Sequence, residues 1–221
     1  MVYCAGRLAG LKSRFTRSAM PAIATRVTPA TIEFIEYAAA SLGLANVALL
    51  MFRSVWNFPF GMAMVALYVV VFAEQRLYAE AGLQVFFFLA QAWGWYLWAR
   101  AGGQESSVPV RRLDNRSRAA WLAITAALSI ALGWAMHRFT NAAMPYADSA
   151  IAGASVAAQI LLGLRRIENW ALWIAIDFAS IALYINRGLY PTAALYCVFL
   201  AMSVYGLREW ARAANRDPAP A

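Results

Sequence analysis

The chain has 221 residues, 62% of them hydrophobic and 14% charged, with twelve Phe, ten Tyr and nine Trp and a net charge of +8. That balance excludes an ordinary soluble domain. The lack of a basic stripe interleaved with aromatics on a polar element excludes a nucleic-acid binder. Two cysteines, Cys4 and Cys197, provide neither a disulfide framework nor a thiolate metal site, and the lone His137 closes an apolar run as an interfacial residue without ligand partners. What remains is a polytopic membrane protein. A hydrocarbon core of roughly 30 Å takes about 20 helical residues per crossing, and apolar stretches of that length recur along the chain. Residues 1–30 form a basic leader, with Arg7, Lys12, Arg14, Arg17 and Arg26 and no acid. Predicted helices follow at 31–52, 56–73 and 78–99, separated by the polar breaks Arg53-Ser54 and Glu74-Gln75-Arg76. The polar linker "RAGGQESSVPVRRLDNRSR" leads into a fourth at 119–137, and three more lie at 143–164, 169–186 and 189–211.

The first and last three helices repeat. A single constant shift, without a gap, sets "LYAEAGLQ" from Leu77 on "LYPTAALY" from Leu189. It also aligns Asn57 with Asn169, Trp93 with Tyr205, Gly94 with Gly206, and Trp98 with Trp210. Three helices per repeat with one helix between them make helices one and five enter the membrane from the same side. The expected architecture is therefore all-α, two parallel three-helix repeats around a linker helix. Its divisions are a leader (1–30), a first repeat (31–100), a linker with helix four (101–141), a second repeat (142–212) and a tail (213–221). Parallel repeats related by an axis along the membrane normal occur in transporters that hold substrate between the halves.

Basic residues on alternate sides set the orientation. Leaving the leader aside, three face eleven, which favours a cytoplasmic C-terminus and, with seven spans, an outside N-terminus. "WGWYLW", residues 93–98, reads as an interfacial aromatic belt closing helix three.

Helix six carries the most unusual stretch, "ENWALWIAID", residues 168–177. At 100° per residue Trp170 and Asp177 fall almost on one line, Trp173 lies about 60° away, and Tyr184 continues the stripe. An ionised carboxylate inside a span costs about 2.5–3.5 kcal/mol on insertion scales, so Asp177 is expected to face the bundle interior or a wet cavity. Two aromatic planes beside an acid suit a flat ring that is cationic or carries hydroxyl donors. Under the repeat shift Gly61 stands opposite Trp173 and Val65 opposite Asp177, so the recognition groups are concentrated in the second half. Further candidates are Gln159, Asn169, Asn57 and Gln91, with Asn46 and Gln84 as other buried amides; amides match hydroxyls as donors and as acceptors. Interhelical bonding and helix capping compete for each of them. No G-x-S-x-G, Walker A or H-E-x-x-H motif is present, and no cofactor or metal site is expected.

These residues resemble the PnuC-type vitamin transporters, the nicotinamide riboside transporter family, over about residues 31–212. The likeness rests on "LQVFFF" with "GWYLW", on "DSAIAGASVAAQIL", and on "ENWALWIAIDFASIALY" with "GLYPTAALY". The resemblance implies a seven-helix fold in a bacterial inner membrane, a homotrimer with a pathway in each protomer, and facilitated diffusion of a vitamin that a cytoplasmic kinase traps. It also implies that the family's W-x-x-W signature falls on Trp170 and Trp173, which hold the nicotinamide, with Gln159 and Asn169 at polar positions nearby. The position four residues after the second tryptophan is Asn in some members and Asp177 here. Since thiamine is also a cation, a thiamine or other nucleoside-like vitamin carrier is the alternative of the same fold. A membrane-embedded enzyme or assembly subunit is the alternative of another class.

Overall fold

The computed structural model describes residues 29–74, 78–101, 109–140, 144–186, 188 and 190–216. Among these the chain forms seven helices: α1 (Pro29–Met51), α2 (Asn57–Glu74), α3 (Tyr78–Arg100), α4 (Asn115–Phe139), α5 (Pro145–Gly163), α6 (Glu168–Asn186) and α7 (Tyr190–Arg216). Nearly all of the basic leader, the charged break after α2, most of the polar half of the linker and the last residues of the tail lie outside the described residues.

Two helices exceed their predicted spans by several residues, for local reasons. α4 starts at Asn115, not 119, because Asp114 caps it: the Ser117 amide donates to Asp114 Oδ1 at 2.6 Å. That bond also holds the Asp114 carboxyl below its ordinary range. α7 runs past 211 to Arg216, with Trp210 and Ala213 still buried against the bundle.

Among the described residues, three helices are by length and composition alone long and apolar enough to cross a membrane, through the stretches Phe34–Met51, Asn57–Glu74 and Asn115–Phe139. The other four turn polar residues inward. Gln84 and Gln91 on α3, Ser155 and Gln159 on α5, Asp177 and Ser180 on α6 and Ser203 on α7 are all buried, while Val85, Leu89, Phe178 and Val198 are exposed. Apolar outside and polar inside is the arrangement that a hydrocarbon solvent favours.

The duplication read in the sequence recurs in backbone detail. After α1 the chain reverses through Arg53 at φ 58°, and after α5 through Arg165 at φ 60°, the left-handed region in both cases. Arg53 N donates to Leu50 O and Arg165 N to Leu162 O, each at 2.9 Å. The Asn57 side-chain amide donates to Ser54 O, and that of Asn169 to Arg166 O, each at 2.6 Å. Every one of these pairs obeys the shift that carries Leu77 onto Leu189. Packing follows the same rule: α1–α2–α3 and α5–α6–α7 each stack in order, and the halves meet through α3 on α5 and α1 on α7. α4 packs against α5 and leaves Leu122, Ile124, Ile130 and Trp134 exposed, so it stands at the periphery.

One end of the bundle is basic. Arg111 N donates to Arg165 O and Ile167 N to Arg111 O, both at 3.0 Å, and Arg112 reaches Asn215 near the end of α7 at 3.3 Å. The linker, the α5–α6 reversal and the end of α7 therefore share one face. Burial, together with the neighbouring cations Arg111 and Arg166, pulls Arg165 below the usual arginine pKa.

Candidate functional site

A cavity lies at the junction of the halves, walled by Asn46, Val47 and Leu50 of α1, Gln159 and Leu162 of α5, Trp170, Trp173 and Asp177 of α6, and Phe199 and Ser203 of α7. Helical periodicity accounts for the α6 wall: Trp170, Trp173 and Asp177 occupy adjacent turns of the inward face and are all buried. The free volume is only about 20 Å³, room for about one water, so anything larger would require the walls to move apart.

Asp177 is held from one side. Ser203 Oγ donates to its Oδ2 at 2.9 Å, whereas Oδ1 has no protein partner. The same holds for Gln159 Nε2, Trp170 Nε1 and Asn46 Oδ1, all buried and all on cavity-lining residues. Two acceptors and two donors are thus left to a ligand. Because an unmet buried polar group costs about 1–3 kcal/mol, a molecule bearing hydroxyls or an amide is favoured over an apolar one.

Four of the eight sequence candidates, Trp170, Trp173, Asp177 and Gln159, line this cavity. The other four lie outside its lining. Asn169 closes the reversal before α6. Asn57 does the same before α2, and its carbonyl accepts from the Asn46 amide, orienting a wall residue. Tyr184 packs edge-on against Tyr196, ring centroids 5.0 Å apart, further along α6. Gln91 fills the first-half counterpart of the site: a Cβ built on Gly61 would collide with the Gln91 and Asn46 amides. Where the second half carries Trp173, the first half has a glycine covered by side-chain amides. The duplication therefore yields one cavity and one filled twin.

Sequence reading missed Ser203, Phe199, Val47, Leu50 and Leu162, which come from helices other than α6. A signal for Ser203 was available, since the repeat shift sets it opposite Gln91. The aromatic belt also needs correction: Trp93 and Trp95 are about 40% exposed as expected, but Trp98 is 0% exposed and belongs to the core. It packs edge-to-face on Phe58 at 5.1 Å, as Trp210 does on Trp170 at 5.7 Å. The two pairs are again related by the repeat shift. Glycine makes both fits possible, because a Cβ at Gly94 would come within 2.6 Å of Phe58 and one at Gly206 within 2.5 Å of Trp170.

Two three-helix units with an aromatic and polar cavity at their junction have the architecture of a multi-pass membrane transporter. The chain belongs to the nicotinamide mononucleotide transporter family, whose sequence model matches residues 33–212. It is 27% identical over 209 residues to the nicotinamide riboside transporter PnuC of Escherichia coli (strain K12), covering 83% of this chain and 87% of the relative. Similarity extends to the riboflavin/roseoflavin transporter RibM of Streptomyces davaonensis, 25% identical over 183 residues, 81% of this chain and 85% of the relative. A crystal structure of the vitamin B3 transporter PnuC superposes with a TM-score of 0.71 at 25% identity, covering 83% of each chain. The expected fold is borne out, and the chain is a transporter, not an enzyme.

Proposed function

We propose that the protein carries nicotinamide riboside by facilitated diffusion, with the two halves rocking to expose the cavity to one side of the membrane and then the other. The observation that carries this reading is the combination of Trp170 and Trp173 with unpartnered atoms on Asp177, Gln159 and Asn46 around one cavity. The indoles stack on a flat pyridinium ring, the carboxylate balances its charge, and the amides meet the ribose hydroxyls and the carboxamide. Asn169, Asn57 and Gln91 support the walls, and Tyr184 packs on Tyr196 further along α6. Nicotinamide riboside transporters among the relatives favour this substrate. The riboflavin transporter among them makes another ring-bearing vitamin the second reading.

The basic face formed by Arg111, Arg112, Arg165 and Arg166 beside the end of α7 supports a cytoplasmic C-terminus and an outside N-terminus in a bacterial inner membrane. On that face a cytoplasmic kinase traps the product by phosphorylation, so no ion gradient is required. A homotrimer with one pathway per protomer completes the proposal, which rests there on family resemblance.

Purified protein in liposomes tests it. Labelled nicotinamide riboside should equilibrate saturably without a proton gradient, and thiamine and riboflavin should compete weakly. Saturable flux of one of those vitamins with the riboside ignored would replace the substrate; accumulation driven by an imposed pH gradient would replace the mechanism. No flux of any of them through folded protein would remove the transport reading.

A further inference from the structure

The halves are joined by two equivalent hydrogen bonds. On α3, Trp98 Nε1 donates across to α5, 3.3 Å from Leu162 O and 3.2 Å from Gly163 O. On α7, Trp210 Nε1 donates across to α1, 3.1 Å from Leu50 O. Donors and acceptors both obey the repeat shift: Trp98 corresponds to Trp210, and Leu162 to Leu50. Each bond pins one of the two helix pairs through which the halves meet. The indoles lie against each other, centroids 5.8 Å apart, and both are 0% exposed.

Their position is what gives them a role. Leu50 and Leu162, whose carbonyls are the acceptors, line the cavity, and Trp210 packs on the cavity residue Trp170. Towards the basic face the same cluster is covered by Val110 and Ile167, on either side of the linker contact. The halves meet between α1 and α7 and between α3 and α5, and the indoles sit at both of these contacts.

We infer that Trp98 and Trp210 are positioning residues that form a symmetric latch, closing the cavity towards the face bearing the end of α7 until both indole bonds break together. The inference rests on the cavity being the transport site. Either bond alone would keep one helix pair joined, so opening is all-or-none. The acceptors remain satisfied after release, since Leu50 O and Leu162 O also receive the amides of Arg53 and Arg165. Opening therefore leaves both of these cavity-wall carbonyls bonded, and the latch can cycle. A net hydrogen bond of about 1 kcal/mol corresponds to roughly a fivefold change in the open population per indole.

Thiol access measures this without any substrate. In a Cys4→Ser, Cys197→Ser background, Ser203→Cys puts a thiol on the cavity wall, and a membrane-impermeant maleimide is added from the face bearing the end of α7. Labelling should be slow in that parent. Trp98→Phe and Trp210→Phe should each accelerate it about fivefold, and the double variant about 25-fold. Labelling from the opposite face should not rise. Should the phenylalanine variants fail to fold, benzothienylalanine at 98 and 210 keeps the two-ring shape and removes only the N–H. Unchanged labelling, a response to Trp210 alone, or equal acceleration from both faces would overturn the latch, as would a parent already labelled rapidly. Each of these results is independent of which vitamin is carried, so a failed uptake assay and a failed latch are separate outcomes.

Discussion

Gly94 and Gly206 offer one steric perturbation in two equivalent settings. A methyl group on Gly206 would lie 2.5 Å from Trp170 Cη2 and Cζ2, and one on Gly94 would lie 2.6 Å from Phe58 Cε1. Relaxing either contact to an ordinary carbon separation of about 3.5 Å requires the ring to move by about 1 Å. Both rings are buried and held edge-on by a tryptophan, so each substitution should cost about 1–3 kcal/mol in overpacking, less a helix-propensity gain common to both. The functional outcome should differ, because Trp170 lines the cavity and Phe58 does not. If Trp170 stacks on the substrate ring, displacing it forfeits about 1.4 kcal/mol, within the range of base–aromatic stacking, and KM rises about tenfold. Uptake of labelled nicotinamide riboside into liposomes should therefore show this rise for Gly206→Ala and less than a twofold change for Gly94→Ala, with similar losses of Tm. An equal rise in KM for both variants would refute the asymmetric site, leaving only a shared packing defect.

If the unpartnered Asp177 Oδ1 faces the ring charge, Asp177→Asn should weaken the cationic riboside by about tenfold while changing competition by its uncharged dihydro form less than twofold; equal losses would show that charge is not what is read. Ser203→Ala leaves Asp177 without its hydroxyl donor and should lower stability by about 1–3 kcal/mol in denaturant titrations, whereas Ser203→Thr should retain most of it. Asp114→Ala removes the α4 cap and should lower Tm at neutral pH. Because the folded carboxyl is held below its ordinary range, its contribution is present above the unfolded pKa and is lost as pH falls through the lower folded value. The Tm gap between the two proteins should therefore close on acidification below about pH 4, and a constant gap would show that the cap acts without its charge.

Much of this organisation is legible in one dimension. Span length against bilayer thickness gives seven helices, and a constant shift gives the two halves. Helical periodicity then puts Trp170, Trp173 and Asp177 on one inward wall, because all three determinants act within a single helix. The single-helix stripe reaches less far than expected: Tyr184 lies outside the cavity lining, its ring packed on Tyr196 instead.

What lies between helices had to come from the tertiary structure. Asn57 and Asn169 look like site amides in sequence, yet each closes a backbone reversal, a role set by carbonyls three residues away and a left-handed Arg before them. Trp98 reads as interfacial because it ends an aromatic run, but α5 approaches closely enough for its N–H to bond there, and it is buried completely. Ser203, Leu50 and Leu162 become wall residues only when α7, α1 and α5 converge. The sequence by itself determined the spans, the duplication and the acidic aromatic face, since local periodicity and chain length suffice for those. Which half keeps an open cavity, and how the halves are joined around it, was decided by packing: the Gln91 and Asn46 amides occupy the space beside Gly61, and two indoles reach across to the opposite half.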